Sequence, residues 1–352
     1  MTRLSRAELQ EHNRAKVLVA ARTEFTERGF RAAKIDQIAE RAHLTRGGVY
    51  SNFPGKRALY FAVLAEQAQH MTEPQYPPSA RTASDALADF ARAWLGRLPL
   101  STDDLRSAGR LGRDLLPEVM SDPRTSAPFA QLTSLSAILF GLCLEALRPS
   151  GRMVRVAELA LTTLHGAAQL AAAAPGFGEQ FDVVTACAQL AALDLDDTWQ
   201  PAHLPHVAPA RPVDQPWTPP DATDALRAEP ARLDRDGVVA VLGLHRLAAI
   251  EEALRAAPPG AEVTAVLVTG DPGELAPLAR LVVADLRGCL NAAVPRSAWP
   301  RLRVVLDDTG AVAAAAGVSA VSDATEAAIL LSGGRIVARA EGYGACHAAS
   351  SA

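Results

Sequence analysis

The residues of this chain with the most chemistry to offer lie between Lys34 and Lys56, in the run KIDQIAERAHLTRGGVYSNFPGK. Arg46 carries a planar guanidinium that can meet a guanine edge through two hydrogen bonds. Tyr50, Asn52 and Lys56 bring donors suited to phosphate oxygens, and Ser51 adds a hydroxyl beside them. Gly47 and Gly48 have no side chain, which suits a surface that another backbone must approach closely. Thr45 precedes this set, and Lys34 stands further ahead as one more phosphate contact. Donors and small residues grouped in this way read the grooves and strands of duplex nucleic acid. They are not the makings of a catalytic site.

Two short helices joined by a tight turn are needed to present them. Ile35, Ile38 and Ala39 fall on one helical face, as do Val49 and Phe53, so each helix has an apolar stripe to bury. In the turn Ala42-His43-Leu44-Thr45, Thr45 is placed to cap the second helix and Leu44 to tuck between the two. A preceding helix from Arg14 to Arg28, with Val17, Leu18, Ala21 and Phe25 on its core face and Gly29 as its stop, completes a three-helix cluster. Residues 1–13 read as a short polar arm. The start of the second helix of such a pair enters the major groove, which makes Arg46 the expected base reader. The charge distribution agrees: the first 60 residues hold twelve Lys and Arg against six Asp and Glu, in a chain whose net charge is −4. A basic head on an acidic body is the footprint of a duplex binder.

The run IDQIAERAHLTRGGVYSNFPGKRALY, with the helix before it, resembles the N-terminal DNA-binding domain of the TetR family of transcriptional regulators over roughly the first 65 residues. That resemblance implies a helix-turn-helix head over residues 1–56, and behind it an all-helical effector-binding and dimerisation domain over 57–198. It further implies a homodimer on a partly palindromic operator, most often as a repressor released by a small-molecule effector. Two departures stand out. The family usually has a small hydroxyl residue where this chain has Ala33 and Lys34, and often Gly where this chain has His43. Histidine tolerates a left-handed turn at modest cost, so the turn should survive.

At 352 residues, 49% hydrophobic and 21% charged, the chain has the composition of a folded globular protein with two or three domains. No continuous apolar run approaches the ~20 residues of a membrane span, and the N-terminus lacks an apolar core, so a cytoplasmic location is expected. From Lys56 the helical pattern runs on as a lever joining head to body. Further helices are expected over 84–98, 129–147, 154–174 and 180–193, around a more polar segment 103–120. The last two, LHGAAQLAAAA and VVTACAQLAAL, are rich in small residues. With the resemblance, this makes them the pair that forms a four-helix bundle with a second copy. Trp94, Met120, Phe129, Phe140, Cys143, His165 and Gln169 are the candidates for an effector pocket, being aromatic, polarizable or polar groups on inward-facing helices.

Seven prolines between Trp199 and Pro220 break this pattern and suggest a semi-rigid linker. Beyond it the periodicity shifts to strand, helix, strand, helix, strand, helix and hairpin, the last signalled by Ser332-Gly333-Gly334-Arg335. Residues 221–352 thus form an α/β domain. The phrase VVLDDTGAVAAAAGVSAVSDATEAAILLSGGRIVARAEGYG is similar to the C-terminal half of thioredoxin-like and peroxiredoxin-like domains. The chemistry of that family is missing. Leu242-Gly-Leu-His-Arg246 stands where the redox cysteines would follow the first strand, and Ser322-Asp-Ala-Thr325 stands in place of the cis-proline. Cys143, Cys187, Cys289 and Cys346 are scattered without metal-ligand spacing. His203 and His206 lack a carboxylate or thiol partner, and Asp307 with Asp308 at a strand end is structural in the resembled family. No cofactor, no metal and no enzymatic activity are expected. The alternative is a ligand- or redox-sensing or enzymatic α/β domain, with the head as its targeting module.

Overall fold

The computed structural model describes residues 5–70, 77–98, 108–148, 151–174, 176–198, 207–258 and 260–352. The start of the polar arm, the first part of the 103–120 segment, and His203 with His206 lie outside these residues.

Helix α1 runs Arg6–Ala32, so most of the expected arm is helical. The cause is a capping box: Ser5 Oγ accepts from the Glu8 amide at 3.2 Å, and Glu8 returns a carboxylate to the Ser5 amide at 2.7 Å. Gly29, at φ 74°, breaks the helix without ending it, and a last turn carries Phe30 into the core. Then come α2 (Ile35–Arg41), α3 (Arg46–Tyr50) and α4 (Lys56–Gln69), the last with every residue from Ala58 to Ala65 buried. The body adds α5 (Ala83–Leu95), a 3-10 turn (Ala108–Asp114), α6 (Leu115–Met120), α7 (Pro123–Leu147), α8 (Val154–Ala173) and α9 (Gln180–Gln189). Helix α7 starts six residues before the expected Phe129, because Asp122 accepts from the Arg124 amide at 2.9 Å and Pro123 fits the first turn. Pro128 is carried inside the helix. Length and composition would let this helix cross a membrane, contrary to the reading of the sequence by continuous apolar runs. However, 61% of its most apolar window is buried inside the protein, the environment of a core helix.

The C-terminal half is a mixed eight-stranded sheet in the order β1-β8-β7-β4-β5-β6-β2-β3. Its strands are β1 (Arg211–Pro216), β2 (Thr223–Asp224), β3 (Glu229–Pro230), β4 (Gly237–Gly243), β5 (Glu262–Val268), β6 (Leu302–Leu306), β7 (Glu326–Ser332) and β8 (Arg335–Glu341). Between them lie α10 (Ile250–Ala256), α11 (Leu275–Ala293) and α12 (Ala311–Ala315), and α13 (Ala345–Ser350) follows the last strand. β4, β5 and β6 are parallel, whereas β7 and β8 form an antiparallel hairpin on β4. That hairpin turns on Gly333 and Gly334, at φ 58° and 73°, the mirror-image conformation that matches strand twist. Part of the expected linker is β1, an edge strand whose Pro212 and Pro216 are tolerated because one side of it has no neighbour.

The two halves share a core. One continuous cluster runs from Val17 and Phe25 of the head, through Leu87, Phe90, Leu139 and Leu161 of the body, to Leu278, Leu286 and Leu290 of α11 and Val238 and Val304 of the sheet. Helix α11 packs along α4, α5 and α7. The opposite face of the sheet buries a second cluster around Trp217, Val239, Val266 and Ile329. The C-terminal domain is therefore seated in the helical body and does not trail from a spacer.

Candidate nucleic-acid interface and the cavity behind it

The turn between α2 and α3 is built as its residues dictate. His43 takes φ 55°, the left-handed conformation that glycine would adopt more cheaply. Thr45 Oγ1 accepts from the Gly48 amide at 3.1 Å and caps α3. Val49 and Phe53 are buried, so the opposite side of α3 faces outward with Thr45, Arg46, Gly47, Tyr50 and Ser51 exposed, and Lys34 exposed beside it. Arg46 lies over the Tyr50 ring with 5.7 Å from guanidinium to centroid, and 3.6 Å from Asp36. Both ends of that ion pair are in solvent, so it holds Arg46 only weakly.

Gly47 and Gly48 are informative. A methyl group on Gly47 would meet only Thr45 Oγ1 at 3.8 Å, and one on Gly48 would come no closer than 3.4 Å to Leu44. Neither residue has positive φ. Glycine inside a helix costs roughly 0.5–1 kcal/mol against alanine, and nothing inside the protein asks for it here.

Two residues expected to face phosphates are turned inward. The Asn52 side chain donates to the Gly48 carbonyl at 2.8 Å, with its Oδ1 buried and unpaired, and the Asn52 main-chain carbonyl accepts from Arg14 at 3.3 Å, while Arg14 lies 4.4 Å from the Phe53 ring centroid. Lys56 donates to the Arg31 carbonyl at 3.1 Å and sits over Phe30, 4.6 Å from the ring centroid, where burial lowers the ammonium's affinity for its proton. A residue without a free helix end nearby would have stayed in water, but Lys56 is within reach of the open carbonyls that end α1. Glu24, absent from the candidates, is wholly buried and braces the head, 3.2 Å from Arg28 and 3.4 Å from Arg41. A charged residue on an otherwise apolar helix face was the only sequence signal for it.

Behind the head is a cavity of about 460 Å³, walled by α4, α5, the 3-10 turn, α6, α7, α8 and α11. Trp94, Phe129, His165 and Gln169 line it. His165 stands edge-on to Trp94, ring centroids 4.8 Å apart, and burial keeps its proton affinity below the ordinary value, favouring the neutral ring. The other three candidates lie elsewhere. Met120 ends the short α6 and is 76% exposed, because Val119 takes the inward position. Phe140 stacks on Phe90 at 4.1 Å in the solid core, and Cys143 is buried on the same helix. Helical periodicity separates inward from outward, but not a filled core from a hollow one. Arg97 and Asp285, which also line the cavity, were not foreseen. Arg97 donates to the Asp285 carboxylate at 3.1 Å, and burial still pushes that carboxyl up to about 6 against the pull of Arg97.

The cavity is wired to the head. Asp114, between lining residues Arg113 and Leu115, accepts from the Phe30 amide at 2.7 Å. The Tyr60 hydroxyl of α4 donates to the Leu111 carbonyl of the same wall. Arg57, in the first turn of α4, joins Asp122 at 2.8 Å and Glu274.

Comparison with known proteins bears on the head. Residues 17–63 match the family "Bacterial regulatory proteins, tetR family". Over 78 residues the chain is 41% identical to the HTH-type transcriptional regulator SrpR of Pseudomonas putida, covering 22% of this chain and 36% of that one. It is 36% identical over 62 residues to the HTH-type transcriptional activator FasR of Mycolicibacterium smegmatis, covering 18% and 28%. Against the uncharacterized HTH-type transcriptional regulator TtgW of Pseudomonas putida it is 41% identical over 78 residues, covering 22% and 57%. The alignments thus span about a third of the first two relatives and somewhat over half of the third. A solved structure, a fatty acid degradation regulator FadR from Bacillus halodurans, overlaps 50% of this chain and 96% of its own at 13% identity, with a TM-score of 0.25, too low to define the fold. The outward face of α3, the capped turn before it and the sequence match coincide: the N-terminal segment of this chain folds as a helix-turn-helix and matches the tetR family of bacterial regulatory proteins over residues 17–63.

Proposed function

We propose that this protein is a homodimeric transcriptional regulator that represses from a partly palindromic operator and is released by a small-molecule effector bound in the cavity behind the head. The observation that carries the DNA-reading part is the surface of α3. Arg46 and Tyr50 stand out into solvent around two glycines that the fold itself does not require. An effector role for the cavity is supported by its apolar walls with few polar groups, and by the Asp114 and Arg57 links to both ends of the head.

Dimerisation is supported by an uncovered face. Leu159, Leu170, Phe177 and Phe181 of the α8–α9 region are all at least 39% exposed, and Gly166 between them has open space where a side chain would be. Small residues beside large apolar ones let a second copy of the same helices approach closely. Phe181→Glu should convert a dimer to a monomer in size-exclusion chromatography with light scattering, and weaken operator binding with it.

We read the C-terminal domain as a thioredoxin-like module that binds without catalysing. The order β6-β5-β4-β7-β8, with a closing antiparallel hairpin, supports the topology. All four cysteines are buried, and burial pushes the Cys187 thiol up to about 11 and Cys289 to about 12, so neither offers the thiolate that disulfide exchange needs. The deciding experiment is capture of genomic fragments by the purified protein at low salt, followed by sequencing and a reporter fused to the recovered site. A single enriched, partly palindromic site whose reporter rises when the protein is removed is the expected result. Retention of no fragment would refute the regulator, and a reporter that falls on removal would make it an activator.

A further inference from the structure

Among the described residues, one wall of the cavity comes from the C-terminal domain. Leu281, Val282, Asp285 and Leu286 of α11 all line the space. The same helix begins beside the head, where Glu274 holds Arg57 and where a methyl group on Gly273 would meet Pro54 Cγ at 2.8 Å. One rigid helix thus touches the ligand space near its middle and the hinge of the DNA-reading head at its start. The charges on the described lining residues are also uneven, two guanidiniums, Arg97 and Arg113, against the single carboxylate of Asp285.

We propose that the C-terminal domain is one wall of the effector site, that the site takes a largely apolar molecule with one anionic head group set against Arg97, and that displacement of α11 transmits its arrival to the head. This rests on the cavity being the effector site. The apolar share of the lining and the volume of about 460 Å³ accept a chain of drug-like size. An anionic head gains most from the half-buried Arg97 guanidinium, where solvent screens less than it does at the exposed Arg113. Asp285 is the group that yields, since its carboxyl already protonates near pH 6, and His165 brings no competing positive charge. Arg97 also has a buried Nε without a partner, so its present bonds to Asp285 leave a donor unused and a rearranged one has something to gain.

The test uses the full chain, with dodecanoate, dodecylamine and dodecanol as probes that share one tail and differ in the head. Tryptophan fluorescence reports binding, and Trp94→Phe assigns the signal to the cavity. Dodecanoate should bind saturably, about tenfold or more tighter than dodecylamine. Val282→Trp, which fills the space from α11, should abolish dodecanoate binding. Arg97→Gln should erase the preference for the carboxylate, and Asp285→Asn, a gentler change should Val282→Trp fail to fold, should tighten dodecanoate binding several-fold. Unaltered binding in a folded Val282→Trp protein removes α11 from the site. Equal or tighter binding of dodecylamine, or no saturable binding of any probe, overturns the anionic ligand. Loss of DNA retention by the wild-type protein would refute the regulator instead, and the fluorescence titration does not depend on it.

Discussion

Arg46 and Gly47 occupy neighbouring positions, yet they make opposite demands on stability. Replacing Arg46 with alanine removes an ion pair that is exposed at both ends, so the melting temperature should not move. DNA affinity should fall by about 1–3 kcal/mol with relaxed base preference, as measured by fluorescence anisotropy on operator variants. Gly47→Ala should do the reverse to the fold, raising stability by up to about 1 kcal/mol in urea unfolding, because the added methyl meets only Thr45 Oγ1 at 3.8 Å. Operator binding should nevertheless weaken, since the methyl stands where duplex backbone approaches. Unchanged affinity in both variants would disprove the docking of α3. At this scale the sequence was largely legible. Thr45 as a cap and His43 in the left-handed turn follow from residue type and local spacing. Lys56 did not, because its partner, the Arg31 carbonyl, is supplied by another helix, and Asn52 did not, because its amide folds back onto the Gly48 carbonyl.

Helices and strands declared themselves through local signals, and their partners did not. The Ser332–Arg335 turn, the short apolar runs of β4 and β5, and the small residues of α8 are each written within a few positions. Helix α11 was legible as a helix, but what covers it is far away in the chain. Glu274 meets Arg57 across 217 positions, and Asp285 meets Arg97 across 188. Nothing in local periodicity distinguishes a helix lying on its own sheet from one wedged between that sheet and another domain. Asp285 also gives this element a pH signature. Its folded carboxyl titrates near 6, above the ~3.9 of an unfolded aspartate, so the native state binds the extra proton between those values. Stability from this group is therefore lost as pH rises from about 4 to about 6 and stays lost above. Asp285→Asn should be more stable than wild type at pH 7–8, by about 1–2 kcal/mol once the partial solvation of the side chain is allowed for, and the difference should vanish by about pH 4. A pH-independent difference in urea unfolding would mean that the asparagine acts through its lost bond to Arg97 alone.

For the molecule as a whole, the consequence of a shared core is cooperativity. A proline-rich stretch between an all-helical pattern and an α/β pattern reads as two modules on a tether, and such modules unfold in separate steps. The packing says otherwise, because residues of the head, the body and α11 belong to one continuous apolar cluster. Removing residues 221–352 would strip α4, α5 and α7 of the helix that covers them and leave the Arg97 guanidinium without its carboxylate. Exposure of that much contiguous apolar surface favours aggregation over a free-standing effector domain. Differential scanning calorimetry on the full chain should accordingly show one transition, with a van't Hoff enthalpy close to the calorimetric one, and the 1–220 fragment should be insoluble or lack a cooperative melt. Two resolved transitions, or a fragment that melts cooperatively on its own, would restore the tethered-module picture, and α11 could then no longer serve as the link between a ligand in the cavity and the spacing of the two heads on DNA.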